Sequence, residues 1–421
     1  MTPNHDDDKS LPLSESVTAQ DIHDAAERIA DGIYRSPCPP SIPLSELTGC
    51  DVFCKLDLLQ RTGSFKERGA RNALLLLDES QKKRGVVAAS AGNHALGLAY
   101  HGKLLKIPVT VVMPRFAPLV KVSTCRRLGA NVLLYGETFE EAWQRAVEIA
   151  SRDGLRLIHG FDDAEIIAGQ GTAAVEILED VPDAEAIVVP TGGAGLLAGV
   201  AIAAKAQRPD IKIIAVEAAA AASFTASLAA GKPVNAPVQP TLADGLAVGR
   251  VGDRSFALAA PRVDHVLTVD EQALSLAVLR LLELEKTSCE GAGAAALAAL
   301  MGEAGQELKG RKVVLLLCGG NIDPTVLHRV IDHGLAVDGR LWRFTATVSD
   351  RPGGMAKLTQ VIADAGASVL EINHDRAFSG PEVFSTTVEV TVETADHDHI
   401  QALHQQLREA DFGVISATAC R

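Results

Sequence analysis

A lysine that follows a turn of small residues is the feature of this sequence with the clearest chemical potential. Lys66 lies in the segment TGSFKERGA, residues 62–70, just before an apolar run at residues 73–77. Partial burial and the positive end of a helix dipole both favour the neutral form of an amine in such a position. A neutral amine is a nucleophile that forms a Schiff base with a carbonyl compound. On this segment alone, an ordinary surface lysine in a first helical turn is the alternative.

Two other segments combine small residues with a change from an extended apolar pattern to a helical one. Residues 89–97 read ASAGNHALG, and residues 190–199 read PTGGAGLLAG. Amides at a helix N-terminus bind anions, and small residues allow a ligand to approach the backbone. We therefore expect a carboxylate at the first segment, where Asn93 offers a donor and an acceptor, and a phosphate at the second. The alternative is a plain strand–helix turn in each case, with Asn93 as an N-cap in the first.

The glycine-rich segment does not follow the common nucleotide-binding patterns. No Gly-Lys-Ser/Thr follows it, which excludes a Walker A loop, and its spacing is a poor match to a Rossmann dinucleotide loop. A fourth segment, LLLCGGN at residues 315–321, ends an apolar strand with Cys318. Open α/β sheets place ligand groups at this end of a strand, but a buried structural cysteine explains this segment alone equally well.

Composition narrows the class of protein. The chain has 421 residues, of which 47% are hydrophobic and 4% aromatic, and its net charge is −13. Such a chain can form two or three domains with substantial cores. The acidic balance and the lack of a basic run argue against nucleic acid and anionic membranes as partners. Seven scattered cysteines, no signal peptide pattern and no apolar run of about 18 residues predict a cytoplasmic protein.

The hydrophobic pattern predicts an α/β fold for most of the chain. Residues 1–16 are polar and are predicted to be disordered. From residue 17 onward, short apolar runs alternate with helical periods such as Glu140–Asp153 and Gln170–Leu178, which is typical of βαβ units and a mainly parallel sheet. The predicted strands are Val86–Ala89, Val109–Met113, Val132–Tyr135, Ala186–Pro190, Lys212–Glu217, His265–Thr268 and Val313–Cys318.

Residues 342–421 follow a different pattern and predict a second domain. The domain boundary is expected between residues 337 and 341. The predicted order of elements is βαββαβ, the ferredoxin-like unit. Its elements are the strand Trp342–Val348, the helix Gly354–Ala365, the strands Ser368–Asp375 and Val383–Glu393, the helix His397–Ala410 and the strand Gly413–Ser416.

The four chemical segments, in this order, resemble those of fold type II pyridoxal phosphate enzymes, most closely the threonine/serine ammonia-lyases. The resemblance covers about residues 17–335 and implies a catalytic domain over residues 17–338. That domain is similar to the β subunit of tryptophan synthase, with two parallel-sheet subdomains, the smaller at about residues 59–159. The resemblance implies that Lys66 carries pyridoxal 5'-phosphate and removes the Cα proton of the substrate.

The resemblance also assigns the other site residues. Phe65 can cover the cofactor ring, and Cys318 faces its pyridine nitrogen. The remaining cofactor-binding residues are Asn93, Gly192, Gly193, Ala194, Gly195 and Leu196. The loop that binds the substrate carboxylate is Ser90, Ala91, Gly92, Asn93 and His94.

Departures from the family pattern define this chain further. Ala194 stands where glycine is usual, and its methyl group is tolerable if φ is negative there. Related serine racemases carry a serine at the position of Ala91 as a second base, and alanine cannot accept that proton, so the chain resembles a lyase. Some relatives bind a cation through a glutamate at the position of Glu217, but Ser223 replaces the second acidic residue, so we predict no metal site.

The C-terminal segment resembles an ACT domain. Asp350, Arg351, Pro352 and Gly353 match the first turn of that family, where regulatory amino acids often bind. The resemblance implies a homo-oligomer, a dimer or tetramer, with an amino-acid or nucleotide effector. A solvated β-turn is the alternative for these four residues.

The expected reaction is deamination of a hydroxy amino acid. The resemblance implies β-elimination of water from L-threonine, which yields 2-oxobutyrate and ammonia. L-Serine, which yields pyruvate, is expected to be a poorer substrate. Some activity on both is expected, because the methyl group that separates them is worth only about 1–3 kcal/mol in an apolar pocket. The alternatives are a β-replacement enzyme of the same fold, such as cysteine or threonine synthase, and a non-catalytic amino-acid sensor.

Overall fold

The structure is a computed structural model that describes residues 16–375 and 384–417. The segment predicted to be disordered, residues 1–16, lies outside the described residues apart from Ser16. The chain divides into two compact units. The first contains the chain up to Ala277 and Leu281–Ile322, and the second contains Val278–Arg280 and the chain from Asp323.

Helices and strands alternate through the first unit and the start of the second. The helices are α1 (Ala19–Ile29), α2 (Ile42–Thr48), α3 (Lys66–Leu75), α4 (Glu79–Arg84), α5 (Asn93–Leu105), α6 (Leu119–Arg127), α7 (Phe139–Asp153), α8 (Ala164–Asp180), α9 (Gly195–Gln207), α10 (Ser223–Ala230), α11 (Asp253–Ala259), α12 (Glu271–Leu284), α13 (Gly291–Met301), α14 (Glu303–Glu307) and α15 (Pro324–Val337). The strands are β1 (Asp51–Lys55), β2 (Val86–Ala89), β3 (Val109–Met113), β4 (Asn131–Leu134), β5 (Arg156–Leu157), β6 (Ala186–Pro190), β7 (Lys212–Ala218), β8 (His265–Val269) and β9 (Lys312–Leu316).

Two parallel sheets form the framework of the first unit, as the α/β prediction requires. The larger has the strand order β1-β9-β6-β7-β8, and the smaller has the order β4-β3-β2-β5. The loops that begin at Ser90, Thr191 and Leu317 each follow the carboxyl end of one of these strands. Because ligands bind at that edge of an open α/β sheet, the fold directs three of the four chemical segments to ligand-binding edges.

Several helices begin where local sequence signals place them. Capping boxes at Thr18, Asp78 and Thr138 precede α1, α4 and α7, and in each the side chain of the cap and that of the third helical residue satisfy exposed backbone amides reciprocally. No helix within the described ranges is long and apolar enough to cross a membrane.

The second unit contains an antiparallel sheet with helices. Its further elements are β10 (Leu341–Ser349), α16 (Gly354–Asp364), β11 (Ser368–Asp375), β12 (Ser385–Glu393), α17 (His397–Glu409) and β13 (Gly413–Ala417). The strand order β11-β12-β10-β13 is that of a ferredoxin-like unit, as predicted. Helix α15 clusters with this unit, whereas the sequence prediction placed it in the first domain.

The strand predictions differ from the structure mainly at the ends. β2, β3, β6 and β11 have the predicted bounds, and most others are displaced by one or two residues. The start of the predicted strand Val383–Glu393 lies outside the described residues. The prediction missed β1, which begins and ends with the charged residues Asp51 and Lys55, and the two-residue strand β5.

A buried ion-pair network joins β1, α3 and α8 behind the lysine segment. The Arg68 side chain is 1% exposed and donates two hydrogen bonds to Asp57, at 2.8 Å each, and two to Glu176, at 2.7 and 2.8 Å. Lys55 lies 2.6 Å from Glu176. These contacts give Asp57 a structural role as one partner of a buried ion pair.

Candidate active site

Lys66 is the first residue of α3, and its amine points to a single backbone acceptor. Nζ donates a 2.7 Å hydrogen bond to the Gly160 carbonyl and lies 5.1 Å from the centre of the Phe65 ring. Burial lowers the pKa of Lys66 to about 8, although the nearby Cys318 and Glu290 oppose that change. The amine is therefore far easier to neutralise than an exposed lysine, whose pKa is about 10.4.

The lysine segment is attached to the segment that carries Cys318. Ser64 and Gly319 form an antiparallel bridge, and the Phe65 amide donates to the Cys318 carbonyl at 3.0 Å. The Cys318 side chain is buried, and burial raises the pKa of its thiol. The tertiary structure thus brings Phe65, Lys66 and Cys318 together and keeps the thiol neutral.

The loop of residues 90–94 joins β2 to α5. Ser90 Oγ accepts hydrogen bonds from the amides of Gly92, at 3.2 Å, and Ala95, at 3.3 Å. Asn93 makes no side-chain N-cap bond, so the alternative that it caps this helix is wrong. A Cβ atom added to Gly92 would have no other atom within 4 Å, which leaves space beside the loop for a ligand.

Two residues that the sequence analysis missed hold the Asn93 side chain. Asn93 Nδ2 donates to Glu290 Oε1 at 2.8 Å, and Asn321 Nδ2 donates to Asn93 Oδ1 at 2.9 Å. An amide nitrogen carries two N–H groups, so Asn93 retains one for a cofactor oxygen. Asn321 follows the Cys-Gly-Gly run and could have been noticed there, whereas Glu290 has no such signal.

Glu290 is buried in this network. Burial and the negative charge of Asp244 raise its pKa to about 7, while Lys121 and Asn93 lower it. A Cβ atom on Gly319 would lie 2.1 Å from Glu290 Oε1. Glycine at this position therefore allows the carboxyl group to reach Asn93.

His94 is not an obvious second base in this loop. Its side chain is buried, and burial lowers its pKa to about 3. The ring is therefore neutral and a weak proton acceptor. The side chain of Ala91, three residues earlier, carries no proton-accepting atom.

The glycine-rich loop joins β6 to α9 and is packed against Phe161. A Cβ atom on Gly193 would lie 2.3 Å from the Phe161 ring, and one on Gly195 would lie 2.4 Å from the Phe161 carbonyl oxygen. Helix α9 has no side-chain N-cap, and the first amides of a helix have no partner within it. These amides are suited to a phosphate group.

Ala194 does not have the negative φ at which its methyl group was expected to fit. Its φ is +69°, in the left-handed region, because the chain must turn sharply from β6 into α9. Left-handed backbone costs an L-residue about 1–2 kcal/mol relative to glycine. This conformational cost explains why glycine is usual at this position in the family.

We expect the variant Ala194→Gly to keep its activity and to gain up to about 1 kcal/mol of stability, because glycine adopts this φ without strain. The matched control is Ala203→Gly within α9, which should lose about 1 kcal/mol because glycine is unfavourable inside a helix. Urea unfolding of both variants measures the difference. A loss of stability in Ala194→Gly equal to that in Ala203→Gly would contradict this explanation.

The residues present fit the chemical groups of pyridoxal phosphate. Lys66 offers an easily neutralised amine for the aldehyde, the first turn of α9 offers amides for the phosphate, and Cys318 offers a neutral thiol for the pyridine nitrogen. Ser64 Oγ, nearby in the sequence, is a buried hydroxyl without a hydrogen-bond partner.

The carboxylate of Glu217 is already hydrogen-bonded to groups of the protein. Its carboxylate accepts hydrogen bonds from the Phe224 amide at 2.7 Å, the Thr225 amide at 2.8 Å and Thr225 Oγ1 at 2.7 Å, near the start of α10. Within residues 16–375 and 384–417, no group of three His, Cys, Asp or Glu side chains is arranged to hold a metal ion.

The predicted regulatory segment, residues 350–353, forms the turn from β10 to α16. The Asp350 amide donates to the Phe384 carbonyl at 2.9 Å, and the Arg351 guanidinium lies 5.5 Å from the centre of the Phe384 ring. Gly353 has a φ of +98°, which only glycine adopts readily. These contacts describe an ordered turn.

Two known protein families match this chain, one in its N-terminal part and one in its C-terminal part. Residues 29–319 match the family described as pyridoxal-phosphate dependent enzyme, and residues 344–411 match the ACT domain. L-threonine ammonia-lyase of Thermotoga maritima is 42% identical over 391 residues, which are 93% of this chain and 97% of that protein.

Solved structures show the same similarity for the first part. The processed form of threonine deaminase isoform 2 from Solanum lycopersicum is 37% identical, with a TM-score of 0.72, and the match covers 75% of this chain and 87% of that one. Serine racemase from Dictyostelium discoideum is 36% identical, with a TM-score of 0.70, over 73% of this chain and 100% of that one.

Proposed function

The chain belongs to the family of pyridoxal-phosphate dependent enzymes, and we propose that it deaminates L-threonine to 2-oxobutyrate and ammonia. L-Serine is proposed as a slower substrate that yields pyruvate. The observation that carries the proposal is the position of Lys66. Its amine contacts Gly160, which lies beside His94 of the carboxylate loop, and the next residue, Phe161, packs on the glycine loop.

The residues of the chain have distinct tasks in this reaction. Pyridoxal phosphate, when bound, withdraws electrons from the carbon that loses a proton. We propose that the α9 amides, Asn93 and Cys318 hold the cofactor and that the amides of residues 90–94 orient the substrate carboxylate. Neutral Lys66 then accepts the Cα proton as general base, and the β-hydroxyl takes up one proton and leaves as water, so that the step has no net change in protons. The enamine product takes up water and releases ammonia.

The proposed reaction is elimination rather than racemisation because alanine, at residue 91, stands where related serine racemases have the second base. Ala91 cannot donate or accept a proton, and burial keeps His94 neutral and weakly basic. A racemase requires a base on each face of the substrate carbon. The similarity to a serine racemase therefore supports the fold and the cofactor.

The direct test is a 2-oxoacid assay over a panel of hydroxy amino acids, with and without isoleucine, valine and AMP. We expect 2-oxobutyrate from L-threonine and slower release of pyruvate from L-serine. A β-replacement enzyme would need a second nucleophile before product appears, and a sensor would bind amino acids without releasing a 2-oxoacid. Absence of a 2-oxoacid with both substrates would refute the proposal.

Cys318 supports a further prediction about reaction choice. A neutral thiol is a weak partner for the pyridine nitrogen, whereas a carboxylate would keep that nitrogen protonated and stabilise a long-lived carbanion. We therefore expect Cys318→Ser to retain lyase activity and Cys318→Asp to lose most of it. Steady-state 2-oxobutyrate release measures both, with circular dichroism as the control for folding. A fully active Cys318→Asp enzyme would refute the argument.

The remaining roles are also proposals. We infer that the ACT domain binds an amino-acid effector at residues 350–353 and that the protein acts in the cytoplasm as a homo-oligomer. The domain boundary between residues 337 and 341 and the smaller subdomain at about residues 59–159 stay predictions. The effects of isoleucine, valine and AMP in the assay above test the regulatory part, and light scattering measures the oligomer.

A further inference from the structure

The turn His159–Asp162 contacts several parts of the site at once. The Gly160 carbonyl accepts the hydrogen bond from Lys66, and Phe161 packs against Gly193 and Gly195. The same turn is anchored to α11, because Asp162 Oδ1 accepts from the Ser255 amide at 2.8 Å and the Phe161 carbonyl accepts from Ser255 Oγ at 2.9 Å. A shift of this turn would therefore displace Lys66 and the glycine loop together.

One side chain holds the turn from within. His159 Nδ1 accepts hydrogen bonds from the amides of Phe161, at 3.2 Å, and Asp162, at 2.9 Å. Backbone amides only donate, so Nδ1 carries no proton and the ring is the neutral tautomer with hydrogen on Nε2. Burial lowers the pKa of His159 to about 4, with Lys66 acting in the same direction and Asp162 in the opposite one.

Aromatic neighbours fix the orientation of the ring. Trp143 and Phe161 contact it edge to face, with ring centres 4.8 and 4.4 Å away. Edge-to-face contacts of this kind stabilise a ring in one plane. The acceptor atom is thereby kept directed at the two amides.

We propose that His159 is a positioning residue whose Nδ1 holds the turn so that Gly160 receives Lys66 and Phe161 supports the glycine loop. It does not touch the substrate, and its effect on the reaction passes through these two contacts. The proposal rests on the proposed role of Lys66 and the glycine loop in binding pyridoxal phosphate.

Two variants separate the acceptor from the ring. In His159→Asn, the Oδ1 atom is the same number of bonds from the backbone as Nδ1 and can accept the same amides, but the ring is lost. In His159→Phe, the ring and its contacts with Trp143 and Phe161 are retained, but the acceptor is lost. His328→Asn is the control, because the side chain of His328 is 78% exposed on α15.

The experiment measures amide hydrogen exchange at residues 161–162 and the dissociation constant for pyridoxal phosphate, both with the full-length protein. Two hydrogen bonds of ordinary strength correspond to about a tenfold change in each quantity. We expect His159→Phe to exchange about tenfold faster and to bind the cofactor about tenfold more weakly. His159→Asn should stay within about threefold of the wild type.

The two variants also identify the outcomes that overturn the proposal. Wild-type behaviour of His159→Phe, or a defect in His159→Asn as large as that in His159→Phe, would show that the acceptor does not position the turn. If His159→Phe does not fold, the exchange and affinity of His159→Asn still decide. Failure of the wild type to bind pyridoxal phosphate would refute the proposed function instead, while the exchange comparison would still test the turn.

Discussion

Replacement of Lys66 by alanine should lower the rate of 2-oxobutyrate release by about 10³-fold or more. The expected loss is large because general base catalysis alone contributes about 10²–10⁴-fold, and the same amine anchors the cofactor by covalent attachment. The measurement is turnover of L-threonine at saturating pyridoxal phosphate. Lys66→Arg should be equally impaired, because a guanidinium does not become neutral in a protein.

A matched lysine shows whether the loss is specific. Lys103 is exposed on α5, and Lys103→Ala should turn over L-threonine at the wild-type rate. The lowered pKa of Lys66 is tested separately in the cofactor-free protein, where its acylation rate should rise through a pH of about 8. Lysines without a shifted pKa should respond near pH 10.4. Substantial activity in Lys66→Ala would exclude this residue as the base.

Replacement of Arg68 by leucine should lower the free energy of unfolding by about 3–5 kcal/mol. Removal of one partner from a buried ion pair leaves the other charge uncompensated, which has a cost of that size. Here Asp57 is fully buried and would keep its bond from Ser36, a longer one of 3.5 Å from Gln60 Nε2, and the more distant charge of Lys55. Urea unfolding followed by far-ultraviolet circular dichroism measures the loss.

The pH dependence of this loss has a definite sign. Burial would raise the pKa of Asp57, but Arg68 lowers it below the ordinary value in the wild type. The stabilisation from Asp57 is therefore present above its unfolded pKa of about 3.9 and is lost as the pH falls further. In Arg68→Leu burial dominates and raises the pKa of Asp57, so the deficit relative to wild type should shrink between pH 7 and pH 5.

Two controls complete this prediction. The double variant Arg68→Leu with Asp57→Leu should recover much of the lost stability, because apolar replacement of a whole buried pair is often neutral. Arg152→Leu breaks an exposed pair with Asp153 and should have no measurable effect. Equal loss in the single and double variants would mean that packing around Arg68, rather than its charge, stabilises the fold.

The fold of this protein was accessible from its sequence because periodicity and turn residues are local properties. Alternating apolar runs and helical periods placed β2, β3 and β6 at their observed bounds. A short or charged strand carries little of that pattern, so β1 and β5 were missed. The bounds predicted for α8, Gln170–Leu178, were too narrow, because the helix begins at Ala164 and ends at Asp180.

The components of the site were accessible for the same reason. Lys66, the loop at Ser90 and the loop at Gly192 each stand at a strand–helix connection that local sequence predicts. The positive φ of Ala194 could not be predicted, because an alanine is expected to have a negative φ unless the geometry of the turn is known.

The sequence by itself determined which residues could do chemistry, since residue type and helix position set the properties of an amine, a thiol or an exposed amide. Only the tertiary structure decided how they are held. Asn93 and Glu290 are 197 residues apart, and Lys66 and Gly160 are 94 residues apart. The order of strands in two parallel sheets decides which loops meet, and burial where they meet sets the pKa of Lys66. Neither is encoded by neighbours in the chain.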